Sequence, residues 1–122
     1  ILISYLSKIN HVRIPVPPNN ILHAYYKFYC YIEENSFLSD WDRNRIINEL
    51  NSNGFPAFTG SCSEIYLEKC FKDIGYSSEK NLINASILGK TSIMFLVHPT
   101  ITLEQMHTYS LEISNIFQKA LR

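Results

Sequence analysis

Apolar residues recur along the chain in two rhythms, and the alternation between them sets out an architecture. Leu2, Tyr5, Leu6 and Ile9 fall at helical spacing, so residues 1–9 read as the last turns of an amphipathic helix. The period then becomes two, with Val12, Ile14 and Val16 on one side. Pro15, Pro17 and Pro18 forbid a helix there and confine any pairing to a sheet edge. Residues 1–22 are therefore expected as the end of a connecting helix plus an extended linker. Residues 23–34, HAYYKFYCYIEE, alternate strictly and predict a strand. Ala24, Tyr26, Phe28, Cys30 and Ile32 should face a core. Tyr25, Lys27, Tyr29, Tyr31 and Glu33 should face the other way, on a surface suited to a partner or a second packed layer.

After a turn at residues 35–40, Ser39 or Asp40 can cap a helix that carries Arg43, Ile46, Ile47 and Leu50 and stops at Gly54, with Trp41 packed at its start. The stretch that organises the rest is 54–71, GFPAFTGSCSEIYLEKCF. Its residues 55–58 are apolar enough for a short buried strand. Ser61 with Glu64 three residues on is a capping-box signature, predicting a helix that carries Ile65, Leu67, Cys70 and Phe71. Free N–H groups at such a helix start would face the turn at 59–64, either to receive an anion, a carboxylate or a phosphate, or simply to be capped.

A polar loop at 72–78 and a helix at 79–88 closed by Gly89 follow. Residues 91–97, TSIMFLV, read as a central strand buried on both faces. His98-Pro99-Thr100 makes a turn, and Thr102 with Gln105 repeats the capping box ahead of a long terminal helix with Leu103, Met106, Tyr109, Ile113, Ile116 and Phe117 on one face. The pattern predicts a two-layer α/β (α+β) domain: a small mixed or antiparallel sheet of about three strands, with helices packed mainly on one face.

A length of 122 residues allows one domain, residues 1–122, and the first residues already look like the inside of a helix, so the chain is expected to be part of a longer protein. Eleven basic and eleven acidic residues cancel without any run of like charge, which leaves no electrostatic footprint for nucleic acid or an anionic membrane. The longest apolar run, 93–97, is too short to span a bilayer. Three cysteines without metal-ligand spacing and four scattered histidines predict free thiols, no zinc and a cytoplasmic setting.

Chemistry concentrates in a few residues. Cys62 at a helix start would have its thiolate stabilised, and with His23 or His98 as base it would make a nucleophile; without one it is a free thiol. His98 ends a buried strand, where α/β sheets gather ligands, or it only bonds its own loop. Tyr25, Lys27, Tyr29 and Tyr31 share the look of a single-stranded RNA stacking platform, against which the neutral charge counts. A Gly-rich phosphate loop, paired catalytic carboxylates and a metal-ligand cluster are all missing from the sequence.

The segments HAYYKFYCYIE, RNRIINELNSNGFPAFTGSCSEIYLEKCF and LGKTSIMFLVHPTIT, in that order and spacing, resemble the C-terminal part of the DegT/DnrJ/StrS sugar aminotransferases over nearly the whole chain. The resemblance implies the small C-terminal domain of a fold-type-I, pyridoxal-phosphate-dependent enzyme. Such enzymes usually aminate a keto sugar attached to a nucleotide, take the amino group from glutamate, make amino sugars for polysaccharides, and act as homodimers. It also implies that the cofactor lysine lies in a large domain outside this chain, since none of Lys8, Lys27, Lys69, Lys72, Lys80, Lys90 or Lys119 sits in a matching motif. No cofactor is expected on the chain alone. The positions it points to for substrate contact are His23, Tyr25, Thr59, Ser61, Cys62 and Glu64. Two departures stand out: Gly60-Ser61-Cys62 replaces a common His-Tyr pair, and Tyr26 stands where many members carry His. The contrasting expectation is a stand-alone, non-catalytic interaction or nucleotide-sugar-binding module of the same fold.

Overall fold

The computed structural model describes residues 1–76 and 82–121. In chain order the elements are α1 (Leu2–Leu6), β1 (Val12–Arg13), β2 (Phe28–Ile32), α2 (Arg43–Ser52), β3 (Ala57–Phe58), α3 (Lys69–Lys72), α4 (Ile83–Thr91), β4 (Ser92–Phe95) and α5 (Leu103–Ala120), with short 3-10 turns at Glu34–Ser36 and Ile65–Leu67. The strands form one open antiparallel sheet in the order β1-β2-β4-β3. This is the expected α+β class, with four strands where about three were expected. The additional strand is β1: Val12 and Arg13 pair with Ile32 and Tyr31 at the sheet edge, ahead of the prolines that stop the ladder.

Alternation along β2 and β4 divides the sheet into two faces. Phe28, Cys30 and Ile32 with Ile93 and Phe95 point into the core. There they meet Leu2 and Leu6 of α1, Ile46 and Leu50 of α2, and Ile113, Ile116 and Phe117 of α5. Tyr29 and Tyr31 point to the other face with Met94 and Ser92, their partners in register. All four residues of β4 are buried, as its unbroken apolar run predicts for a strand paired on both sides. Edge strand β3 is held from the core side: Asn51 of α2 donates to the Ala57 carbonyl and accepts from the Ala57 N–H, both at 3.0 Å.

Several local expectations are corrected. The strand begins at Phe28, not His23, because Tyr25 takes a left-handed backbone (φ 45°) that breaks the alternation and leaves Tyr26 88% exposed. Asp42, rather than Ser39 or Asp40, caps α2 by accepting from the Arg45 N–H at 2.7 Å. Gly89 does not close α4, which continues to Thr91 and enters β4 directly. The first residues of the helix expected at 79–88 lie partly outside the described residues. The box at Thr102 and Gln105 forms in full and starts the 18-residue α5. Among the described residues no helix is long and apolar enough to cross a membrane.

Candidate functional site

The outer face of the sheet carries the residues of interest. Tyr29 and Tyr31 form the floor shared by two grooves. The first, of about 370 Å³, is walled by the proline segment, with Pro15, Pro17 and Ile21 facing Tyr25, Lys27 and His23. The second, of about 320 Å³, lies between the turn of Ser61, Cys62 and Ser63 and the α4 residues Ala85, Leu88 and Gly89, with Ser92 below.

Each wall has a local cause. Three prolines hold residues 15–18 extended beside β2. His23 accepts the Tyr25 N–H on Nδ1 at 2.9 Å and its ring lies 4.3 Å from the Tyr25 ring, which supports the left-handed turn that re-aims the chain. On the other side Arg43, the first residue of α2, donates from Nη1 to the carbonyls of Gly89 and Ser92 at 3.0 and 3.3 Å, gripping the end of α4. Gly89 lets the 61–63 turn approach closely: a Cβ there would meet the Ser63 Cβ at 2.7 Å. Ser92 donates to the Thr59 carbonyl at 2.7 Å, and the Tyr29 hydroxyl lies 3.3 Å from the Ser61 hydroxyl. The guanidinium of Arg13 sits 4.3 Å over the Tyr31 ring.

The structure thus brings four of the six sequence-expected residues, His23, Tyr25, Ser61 and Cys62, around one pair of tyrosines. Thr59 and Glu64 do not line either groove: the Thr59 carbonyl is taken by Ser92, and Glu64 accepts the Tyr66 hydroxyl at 2.7 Å, which pushes the tyrosine hydroxyl's pKa up. Sequence reasoning missed Arg13, Arg43 and the proline wall. The linker reading of residues 11–18 hid Arg13, whose place opposite Tyr31 follows only from the β1–β2 register.

The expected helix start at Ser61 is absent. Residues 61–64 are an irregular bend before the 3-10 turn Ile65–Leu67, whose N-terminal residue Glu64 does not cap it: the Glu64 carboxylate accepts from Tyr66 instead. Cys62 consequently has no helix dipole to stabilise a thiolate. Its thiol donates to Glu68 at 3.2 Å, and that bond, with the adjacent carboxylates, raises its pKa above the usual 9.0. Replacing Glu68 with glutamine is expected to speed alkylation of Cys62 at neutral pH roughly two- to fivefold, read by timed thiol labelling with peptide mapping; an unchanged rate would deny the carboxylate its role. Neither His23 nor His98 bonds to Cys62: His23 serves Tyr25, and His98 lies 2.8 Å from the Thr100 hydroxyl.

Pyridoxal phosphate needs an amine held in a cavity opposite a carboxylate, and the described residues do not fit that requirement. Lys8, Lys69, Lys72, Lys90 and Lys119 are exposed, and half-buried Lys27 extends over the Tyr26 ring at 5.3 Å. Among the described residues no three potential metal ligands cluster.

An antiparallel sheet with α1, α2 and α5 on one face and a tyrosine-floored trough on the other is a fold shared with pyridoxal-phosphate enzymes. No family model matches the chain and no curated protein proved similar, but solved structures do. An aminotransferase from Psychrobacter cryohalolentis superposes over 98% of this chain with a TM-score of 0.86 and 36% identity, the chain covering 31% of that protein. A DegT DnrJ EryC1 StrS aminotransferase from Brucella abortus matches over 96% of this chain and 27% of its own, TM-score 0.70 at 16% identity. The E. coli GDP-4-keto-6-deoxy-D-mannose-3-dehydratase, with bound hydrated PLP, matches over 95% and 28%, TM-score 0.70 at 13% identity. The solved structures that match this chain over nearly its whole length are thus aminotransferases and related enzymes of the DegT/DnrJ/EryC1/StrS type, the type its sequence resembles, and the chain spans less than a third of the length of these three proteins.

Proposed function

We propose that this chain is the small C-terminal domain of a pyridoxal-phosphate-dependent aminotransferase that aminates the keto group of a nucleotide-linked sugar. The observation that carries the reading is the match over nearly the whole chain to the Psychrobacter aminotransferase. The name of the E. coli relative, a PLP enzyme of a GDP-linked keto sugar, supports both the cofactor and the substrate class.

In this reading the chain contributes one wall of the substrate pocket through His23, Tyr25, Ser61 and Cys62, while Thr59 and Glu64 support that wall from behind. None of the lysines of the sequence sits in a motif for the cofactor amine, which this reading leaves to a large domain elsewhere in the protein, acting in the cytoplasm as a homodimer. What the present residues do is bind and orient: aromatic rings supply flat apolar surface, serine hydroxyls supply hydrogen bonds, and the Arg43 clamp fixes the distance between them.

The test is purification of the native protein containing this chain, with intact mass, absorbance and a glutamate-dependent amination assay on nucleotide-linked keto sugars. The expected product is about three times this length, in proportion to the 31% share of the matched aminotransferase, and carries a bound pyridoxal phosphate chromophore. The isolated 122-residue chain is expected to show no such chromophore on addition of the cofactor. A native product of only this length, binding nucleotide sugars without turnover, would overturn the catalytic reading in favour of a binding module.

A further inference from the structure

Within this chain α4 has no apolar footing. It buries none of its nine residues, leaves Ile83 69% and Ile87 52% exposed, and runs into β4 without a connecting residue. A helix this short does not hold itself in place, so its direction depends on what grips its ends. At its first turn the Leu82 N–H donates to the Tyr66 hydroxyl at 3.1 Å, a bond to a 3-10 turn that itself buries nothing. The other end meets Arg43. Its Nη1 takes the Gly89 carbonyl, one of those the last turn leaves without a helical partner, and the Ser92 carbonyl where β4 begins. Arg43 is itself firmly rooted: it follows the Asp42 cap, its Nε donates to Asn44 at 2.9 Å, and Ile46, Ile47 and Leu50 anchor α2 in the core. It lines neither groove, yet both walls of the hydroxyl-bearing groove depend on the backbone it grips. One wall is α4, through Ala85, Leu88 and Gly89. The opposing turn is tied to the same place twice, by the Ser92 hydroxyl on the Thr59 carbonyl and by the close approach of Ser63 to Gly89.

We propose that Arg43 is a positioning residue: by clamping the end of α4 it sets the width of the groove between α4 and the 61–63 turn, and it does so for the keto sugar and not for the amino donor. This rests on the reading that these walls face the substrate, and it places control of their spacing in a side chain that touches no substrate. Of the two substrates in that reading, only the nucleotide-linked sugar is long enough to reach from a reacting centre on another domain into this groove. One guanidinium nitrogen with two hydrogens meets both carbonyls while Nε holds the plane against Asn44, so the clamp fixes a direction as well as a distance. A cation at a helix C-terminus is also favoured by the helix dipole.

The experiment uses the whole native protein that contains this chain, with its R43M and R43K variants, in steady-state kinetics with glutamate and the nucleotide-linked keto sugar that it aminates. Methionine keeps an apolar stem and loses every donor, whereas lysine restores a cation. R43M should raise KM for the keto sugar about tenfold and leave kcat and KM for glutamate within about twofold of the parent. R43K should recover most of the loss. Hydrogen exchange on the same samples should show α4 amides exchanging about tenfold faster in R43M, with α5 unchanged. Unchanged α4 exchange, or parent kinetics in R43M, overturns the proposal. So does a loss in which kcat and both KM values move together, or one that R43K shares in full, because a merely structural role predicts those results. If R43M does not fold, R43Q is read by the same criteria. A native protein that aminates no keto sugar removes the aminotransferase reading and the positioning role with it; an active aminotransferase indifferent to R43M removes the role alone.

Discussion

Phe95→Ala is expected to remove about 3–5 kcal/mol of folding stability, a third or more of what a domain of this size holds. Phe95 is fully buried in the central strand, in register with Phe28 on one side and Ala57 on the other. Its ring meets Tyr109 edge-on at 6.0 Å, and Tyr109 in turn stacks on Phe55 at 5.9 Å and donates its hydroxyl to the Pro56 carbonyl. Truncation would leave a cavity at the one point where both sheet partners and α5 converge, and strand pairing prevents the backbone from collapsing into it. Chemical denaturation followed by circular dichroism reads the loss. Phe95→Leu should cost only about 1 kcal/mol, since most of the volume remains. A loss below about 1 kcal/mol for the alanine variant would contradict the place given to Phe95 in the core.

The same residue shows why the fold was largely legible beforehand. An unbroken apolar run admits few placements other than a strand covered on both faces, and a capping box followed by a helical apolar stripe fixes α5 at its first turn. Local chemistry determines both features. The sheet edges were less legible because they depend on register: nothing local distinguishes Val12 and Arg13 as a strand from the proline linker behind them.

The 61–64 turn failed for a different reason. A serine three residues before a glutamate satisfies the capping rule, but the Tyr66 hydroxyl takes the Glu64 carboxylate that a capping box would have used. The strand expected at 23–34 is too long because alternation continues through Tyr25, whose positive φ is supported by the His23 hydrogen bond and by the His23 and Phe28 rings, local contacts that a period-two pattern does not reveal. The 59–64 turn and Cys62 drew attention through their local pattern and the substrate-contact reading came from the resemblance, whereas Arg13 and Arg43 act through contacts 18 and more residues away in sequence and leave no local pattern.

Gly60→Ala carries the second large expected effect, and Gly54→Ala is its internal control. Both glycines hold left-handed backbones, φ 93° and 81°, so an alanine at either place meets the same intrinsic penalty of about 1–2 kcal/mol. The surroundings differ. A Cβ at Gly54 finds open space, whereas one at Gly60 would lie 2.8 Å from Cε1 of Tyr29 and 3.4 Å from the Ser92 hydroxyl. The Tyr29 ring cannot yield freely, because its backbone is paired to Met94 and its hydroxyl lies against Ser61. Overpacking therefore adds about 1–3 kcal/mol at Gly60 alone. Thermal unfolding should rank the variants parent, Gly54→Ala, Gly60→Ala. Only the last should change the near-ultraviolet tyrosine signal, since only there does the new methyl displace a ring in the trough. Equal losses at the two glycines would mean that the turn moves away from β2 to accommodate the methyl. The trough would then be a malleable surface, and its tyrosines could not set the register of a bound ligand.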